Sequence, residues 1–215
     1  MHEMPTALAP SASTATARGR RTVAKAPQAL QRLLERHSIG PRWMVAPGPS
    51  PEQLHLAVRA ALRAPDHGRL LPWRAVVIPD RERGALGELF AAFARDAGRT
   101  DEDVARERDR ARNGPVLVAW IARIAADVDE VPPHEQWMCA GGALTNFLNA
   151  LHLMGYGAKT LSGRKCSHPA LARAFCADGE QLVAFVCIGT PTRKPAARVV
   201  DDADEVLSLW RAPAA

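Results

Sequence analysis

Several familiar signatures are missing from this 215-residue chain, and each absence closes a door. No Gly-x-Gly-x-x-Gly follows a strand-like segment, which removes support for a Rossmann dinucleotide site. No Walker loop is present to cradle a triphosphate. Ser162, in Leu161-Ser162-Gly163, lacks the Gly-x-Ser-x-Gly elbow of a hydrolase nucleophile. No two carboxylates stand out as an acid/base couple. The cysteines, Cys139, Cys166, Cys176 and Cys187, form no Cys-x-x-Cys pair and read as buried, reduced thiols. Cys166 and His168 have no second pair of ligands at suitable spacing, so no metal site is expected. No apolar run reaches the roughly 18 residues of a membrane helix, and the longest, 116–126 and 182–188, are strand-sized. Residues 1–26 carry no apolar signal core, although a transit peptide stays open. A cytoplasmic protein without a membrane partner is the expectation.

What is present is ordinary globular material, 47% hydrophobic, in a length that suits one domain. The net charge of +5 is unevenly spread. Four cations (Arg18, Arg20, Arg21 and Lys25) stand against Glu3 in residues 1–26, so that segment holds +3 of the total. The rest of the chain is close to neutral, which argues against a nucleic-acid surface. Residues 1–26 read as a disordered basic extension, and 27–215 as a single domain.

Periodicity predicts helices over 27–36, from 51 to just before Pro65, and over 81–97, 101–112 and 134–154. Ser50-Pro51-Glu52-Gln53 is a capping box with proline at the first helical position. The 101–112 helix alternates in charge and reads as a solvated face. The 134–154 helix is apolar nearly all round, which predicts burial on several sides, including against a second subunit. Gly141-Gly142 inside it costs roughly 1 kcal/mol per glycine relative to alanine, and close helix packing is the expected reason. Ser167 is expected to cap a helix beginning near Pro169. Strands are expected at 74–78, 116–124, 157–161 and 182–188. Their irregular interleaving with helices predicts an α+β fold.

The most informative stretch is Ala64-Pro65-Asp66-His67-Gly68-Arg69-Leu70-Leu71-Pro72-Trp73, a polar loop feeding a β-branched strand. Loops fixed at the mouth of a strand are common places for small-molecule sites. Upstream, Arg36-His37-Ser38 offers a cation and a hydroxyl together, although the same triplet also suits a plain helix ending. A chain with little side-chain chemistry and a defined loop constellation is a candidate for a cofactor enzyme.

These two blocks, followed by Gly155-Tyr156-Gly157 and Gly189-Thr190-Pro191 in the same order, resemble the FMN-dependent nitroreductase family, in particular its minimal-size branch. The resemblance spans about residues 28–210. It implies a sandwich with a small, mainly antiparallel central sheet flanked by helices, in an intertwined homodimer. It implies FMN as cofactor, NAD(P)H as electron donor and a small electron-poor acceptor such as a nitroaromatic or quinone. Donor and acceptor would share one flavin face in ping-pong hydride transfer, with no side chain acting as catalyst. The flavin ligands it implies are Arg36, His37, Ser38, Arg42, His67, Leu71, Thr160, Leu161, Ser162, Arg193 and Lys194. Ala150, Leu151, His152, Leu153, Met154 and Gly155 would lie near the nicotinamide dinucleotide. Leu71 stands where the family commonly has glutamine and Leu161 where the branch often has arginine. Those departures, with Gly40 where a basic residue usually follows the serine, leave room for a flavin binder without turnover; a different flavin reaction on the same fold, such as flavin fragmentation or dehalogenation, is a separate alternative.

Overall fold

Alternation along one central strand, and along its neighbour on either side of an irregularity in their pairing, builds a sheet with two apolar faces. A computed structural model describes residues 26–193 and 203–213. Strand β1 is Met44–Val45, β2 Trp73–Ile78, β3 Val116–Arg123, β4 Gly157–Leu161 and β5 Glu180–Pro191. All pairings are antiparallel: β2 on β3, β3 on β5, and both β4 and β1 on β5. In β3, Leu117, Ala119 and Ile121 face one side while Val118 and Trp120 face the other, as a two-residue period requires.

The helices are α1 (Gln28–Leu34), α2 (Pro51–Ala61), α3 (Arg83–Asp96), α4 (Asp101–Asp109), α5 (Pro133–Leu153) and α6 (Pro169–Phe175). One core joins Leu86 and Phe90 of α3 and Leu171 of α6 to Leu117, Ile121 and Phe185. The other joins Ala57 and Ala61 of α2 and Ala143, Phe147 and Leu151 of α5 to Trp73, Trp120 and Val186. Trp73 stacks on Trp120 with ring centroids 4.6 Å apart. The α+β sandwich with a small antiparallel sheet is therefore the observed architecture. Among the described residues no helix is long and apolar enough to cross a membrane.

The capping box forms as expected. Ser50 Oγ accepts from Gln53 N, and Gln53 Oε1 accepts from Ser50 N at 2.8 Å. Four expectations need correction. No strand is expected near 44–45, yet β1 forms there, because the chain runs beside the end of β5 and pairs with Thr190 and Pro191. Ser167 caps nothing: it ends a short 3-10 turn, and His168 is the residue before the helix. Pro169 forces its predecessor into extended backbone, which makes position 168 the boundary. The charged α4 is not wholly solvated, since Val104 and Glu107 are buried. Finally, α5 is not buried on several sides within the described chain. It buries one stripe (Gln136, Cys139, Ala140, Ala143, Phe147, Leu151), while Trp137, Met138, Gly141 and Thr145 are exposed on the other side.

Of the expected extension 1–26, only Ala26 falls among the described residues.

Candidate active site

Three segments far apart in sequence meet at the β4 and β1 edge of the sheet. The chain leaving α1 passes beside β4, where Ile39 N donates to Ala158 O at 3.0 Å. The approach is close enough that a Cβ on Gly157 would lie 2.9 Å from Ile39 Cγ1. A 3-10 turn, Pro41–Trp43, then leads into β1. The end of β5 closes the group: Thr192 N donates to Trp43 O, and Thr190 Oγ1 donates to Pro47 O at 2.6 Å.

Trp43 is the centre of this arrangement. The Arg193 guanidinium lies 4.1 Å from its ring centroid and that of Arg42 lies 5.2 Å from it. Cation–π attraction holds both guanidiniums beside one ring. Ser38, Arg42, Trp43 and Arg193 line a single small cavity of about 220 Å³. Two forked cations and a hydroxyl are a donor set that fits a phosphate.

A second cavity, of about 460 Å³, lies on the other side of Ile39, with His37, His152, Gly155 and again Arg193 on its walls. His152 Nε2 is 2.7 Å from Arg32 O, and Arg32 Nη2 donates to Leu153 O, so α1 is tied to the end of α5. Ala150, Leu153 and Met154 line a separate groove against Leu56, Arg59 and Leu62 of α2. Leu151 is fully buried and packs in the core, away from both hollows. Thr160, Leu161 and Ser162 line a third cavity, of about 660 Å³, which reaches Pro41. Arg36 is half-buried just beyond α1, and its side chain makes no hydrogen bond or ion pair among the described residues. Lys194 lies outside the described residues.

His67 and Leu71 line none of these hollows. Their loop is nevertheless tightly built. Gly68, Arg69 and Leu71 have φ of 72°, 53° and 48°, left-handed positions that disfavour side chains, with Leu70 between the last two at φ -75°. The Asp66 carboxylate holds it, with Oδ1 accepting from Leu70 N at 3.1 Å and Oδ2 from Leu71 N at 2.9 Å. Leu71 O accepts from Arg123 Nε. His67 Nδ1 is 2.8 Å from Glu135 Oε2. Beside Glu135 on α5, Gln136 is a buried amide that accepts from Ala125 N and donates to Ala125 O and Val131 O. Asp66, Glu135 and Trp43 belong to these arrangements but are not among the expected site residues, although Asp66 stands in the stretch singled out from the sequence. An aspartate followed by a left-handed glycine was the available signal for the first; nothing local marked the other two.

Further along the sheet, Arg74 donates to both Glu180 oxygens and to Phe175 O, joining β2 to β5 and the end of α6. The Arg74 guanidinium pulls the Glu180 carboxyl down to about 2. Burial raises the Cys187 thiol to about 11, and Cys139, Cys166 and Cys176 are raised by the same cause. None of the four has the electropositive exposure of a reactive thiol.

The family model described as "Nitroreductase family" matches residues 33–190. An Escherichia coli K12 protein provisionally named the NAD(P)H nitroreductase YdjA is 34% identical over 170 residues, covering 77% of this chain and 90% of its own. Among solved structures, a nitroreductase-like family protein from Bacillus cereus superposes with a TM-score of 0.70 at 17% identity, over 88% of this chain and 99% of that one. The NADPH:FMN oxidoreductase of Vibrio harveyi, solved with NAD+, gives 0.65 at 17% identity, over 86% and 78%.

Proposed function

The chain belongs to the nitroreductase family, and from that premise we propose that it is an FMN-dependent NAD(P)H oxidoreductase that reduces small electron-poor acceptors, nitroaromatics or quinones. The observation that carries the reading is the convergence of Ser38, Arg42 and Arg193 around Trp43 in one phosphate-sized hollow. These donors come from two segments about 150 residues apart in the chain, and their meeting in one hollow supports a phosphate site there. FMN, when bound, supplies the two-electron chemistry that no side chain here offers.

The residues then have positional tasks. Ser38 donates its hydroxyl to a phosphate oxygen, and Arg42 and Arg193 neutralise the charge. Arg36 and His37 flank the same segment. Thr160, Leu161 and Ser162 form the edge facing the ring, with Leu161 giving apolar contact in place of a charge. Lys159, Arg164 and Lys165 surround the same cavity, so the missing arginine does not leave that end of the site neutral.

Two observations support a homodimer that completes the site. The His67–Leu71 loop is rigid and solvent-facing, away from the phosphate hollow, as a contribution to a second copy's site would require. Large apolar side chains also stand open: Leu34 is 61% exposed, Met138 72% and Trp210 84%. Gly141 on α5 has nothing within 4 Å, which leaves room for a partner helix. The free cysteines suit a reducing compartment such as the cytoplasm.

A flavin-retention experiment tests the reading. Arg193→Ala removes one guanidinium from the phosphate and is expected to weaken FMN binding about thirtyfold, with the melting temperature little changed. Unaltered FMN affinity in Arg193→Ala and Ser38→Ala would refute the phosphate assignment.

A further inference from the structure

The cavity that carries Thr160–Ser162 on one side has a second wall, built by α4 and by the turn after β4, that takes no part in the phosphate hollow. Five cations line it: Arg99, Arg110, Lys159, Arg164 and Lys165. Glu107 is the one lining carboxylate among the described residues. Its side chain is 3% exposed and serves three of the five. Oε1 lies 2.6 Å from Lys165 Nζ, while Oε2 takes Arg110 Nη1 at 2.5 Å and Arg99 Nη1 at 3.3 Å. One negative charge thus faces three positive ones, and Lys159 and Arg164 have no ion-pair partner among the described residues.

This is a built arrangement and differs from a loose basic surface. The buried carboxylate draws three cations from α4, its preceding loop and the 164–167 turn to one point. Lys165 Nζ also sits 3.6 Å from the Phe90 ring centroid, and Arg99 lies 5.1 Å from that of Phe93. Five cations against one carboxylate leave the hollow with an excess of positive charge, which attracts an anion. The hollow shares Thr160, Leu161 and Ser162 with the proposed flavin edge, so whatever anion it holds is positioned beside the redox centre.

We propose that this cavity is an anion subsite, taking a phosphate or carboxylate group carried by a small molecule that exchanges electrons at the adjacent flavin. The proposal rests on the flavin reading for the identity of its neighbour and on the cation cluster for its own chemistry. Glu107 is a positioning residue that sets the geometry of Lys165, Arg110 and Arg99. The anion has two possible sources, the ribose phosphate that distinguishes NADPH from NADH, or an acidic group on the electron acceptor.

The test uses the purified full-length protein and the double variant Arg110→Ala/Arg164→Ala, which alters exposed side chains and leaves Glu107 with two partners. Calorimetric titration with inorganic pyrophosphate reads the site without turnover; the FMN-saturated wild type is expected to bind it and the double variant to bind it about tenfold more weakly. Steady-state assays then compare NADPH with NADH, and 4-nitrobenzoate with 4-nitrobenzamide. A KM increase confined to NADPH names the donor as the source, and one confined to 4-nitrobenzoate names the acceptor; either supports the proposal. Equal pyrophosphate binding by both proteins overturns it, as do unchanged KM values in both pairs. Loss of FMN from the double variant also overturns it, because the cations would then hold the cofactor's own phosphate. A protein that takes no FMN but whose pyrophosphate binding is lost in the variant keeps the anion site and removes the flavin reading instead.

Discussion

At the scale of single residues, Asp66 shows how a short loop can be held in a shape its sequence resists. Arg69 and Leu71 occupy left-handed backbone that costs roughly 1–2 kcal/mol for each L-residue, and both Asp66 oxygens are spent on the amides that follow. Asp66→Ala removes both bonds and is expected to destabilise the fold by about 2 kcal/mol, read as a lower urea midpoint. A change below about 0.5 kcal/mol would mean that the loop is held by packing alone. Trp43 and Glu107 act similarly, each gathering cations from separate segments. Neither was legible in the sequence, for a physical reason. Trp43 stands next to Arg42, but Arg193 reaches it only because β1 pairs with the end of β5. Glu107 stands in a run of alternating charge that looks solvated until α4 is laid against the 164–167 turn. By contrast, Arg36, Ser38 and His67 are candidates because the order of their short motifs resembles that of the nitroreductase family; taken alone, Arg36-His37-Ser38 also suits a plain helix ending.

At the scale of elements, local chemistry was legible where it is self-contained. The Ser50–Gln53 box lies within four residues, needs no tertiary partner, and forms as read; Gln53 then also accepts from the Tyr156 hydroxyl at 2.7 Å. Ser167 misled because serine before proline looks like a cap, yet proline imposes extended backbone on the residue before it, which is His168. The two-residue strand β1 is too short to carry a periodic signal. The most consequential element contact is the passage of Ile39 beside β4. Gly157→Ala would press a Cβ against Ile39, a crowding worth about 2 kcal/mol in a packed setting. It should also move Ser38 away from Arg193. The expected result is weaker FMN binding together with lower stability. Wild-type FMN affinity in a destabilised Gly157→Ala would separate the passage from the site.

At the scale of the whole molecule, the described chain leaves a good deal of apolar surface without cover. The exposed segment 203–213 presents Val206, Leu207, Leu209 and Trp210, each more than 70% exposed, and patches of that kind mark interaction surfaces. A dimer is expected from the apolar character of α5 and from the family resemblance; the exposed leucines of α1 and this terminal segment add to that proposal. Sedimentation at micromolar concentration is expected to give a particle of twice the 23.2 kDa chain mass, and removal of residues 203–215 to shift it toward monomer. A wild-type protein that sediments as a monomer would leave the His67–Leu71 loop without a site to complete.

The measurement that bears most directly on the central claim is the visible absorption spectrum of the purified protein, saturated with FMN and then titrated anaerobically with NADPH and with NADH. Stoichiometric flavin bands are expected, bleaching on addition of at least one nucleotide and returning on reoxidation when a nitroaromatic is added. A protein that stays colourless in excess FMN would contradict that claim, and one that binds flavin without bleaching would be a flavin carrier without turnover.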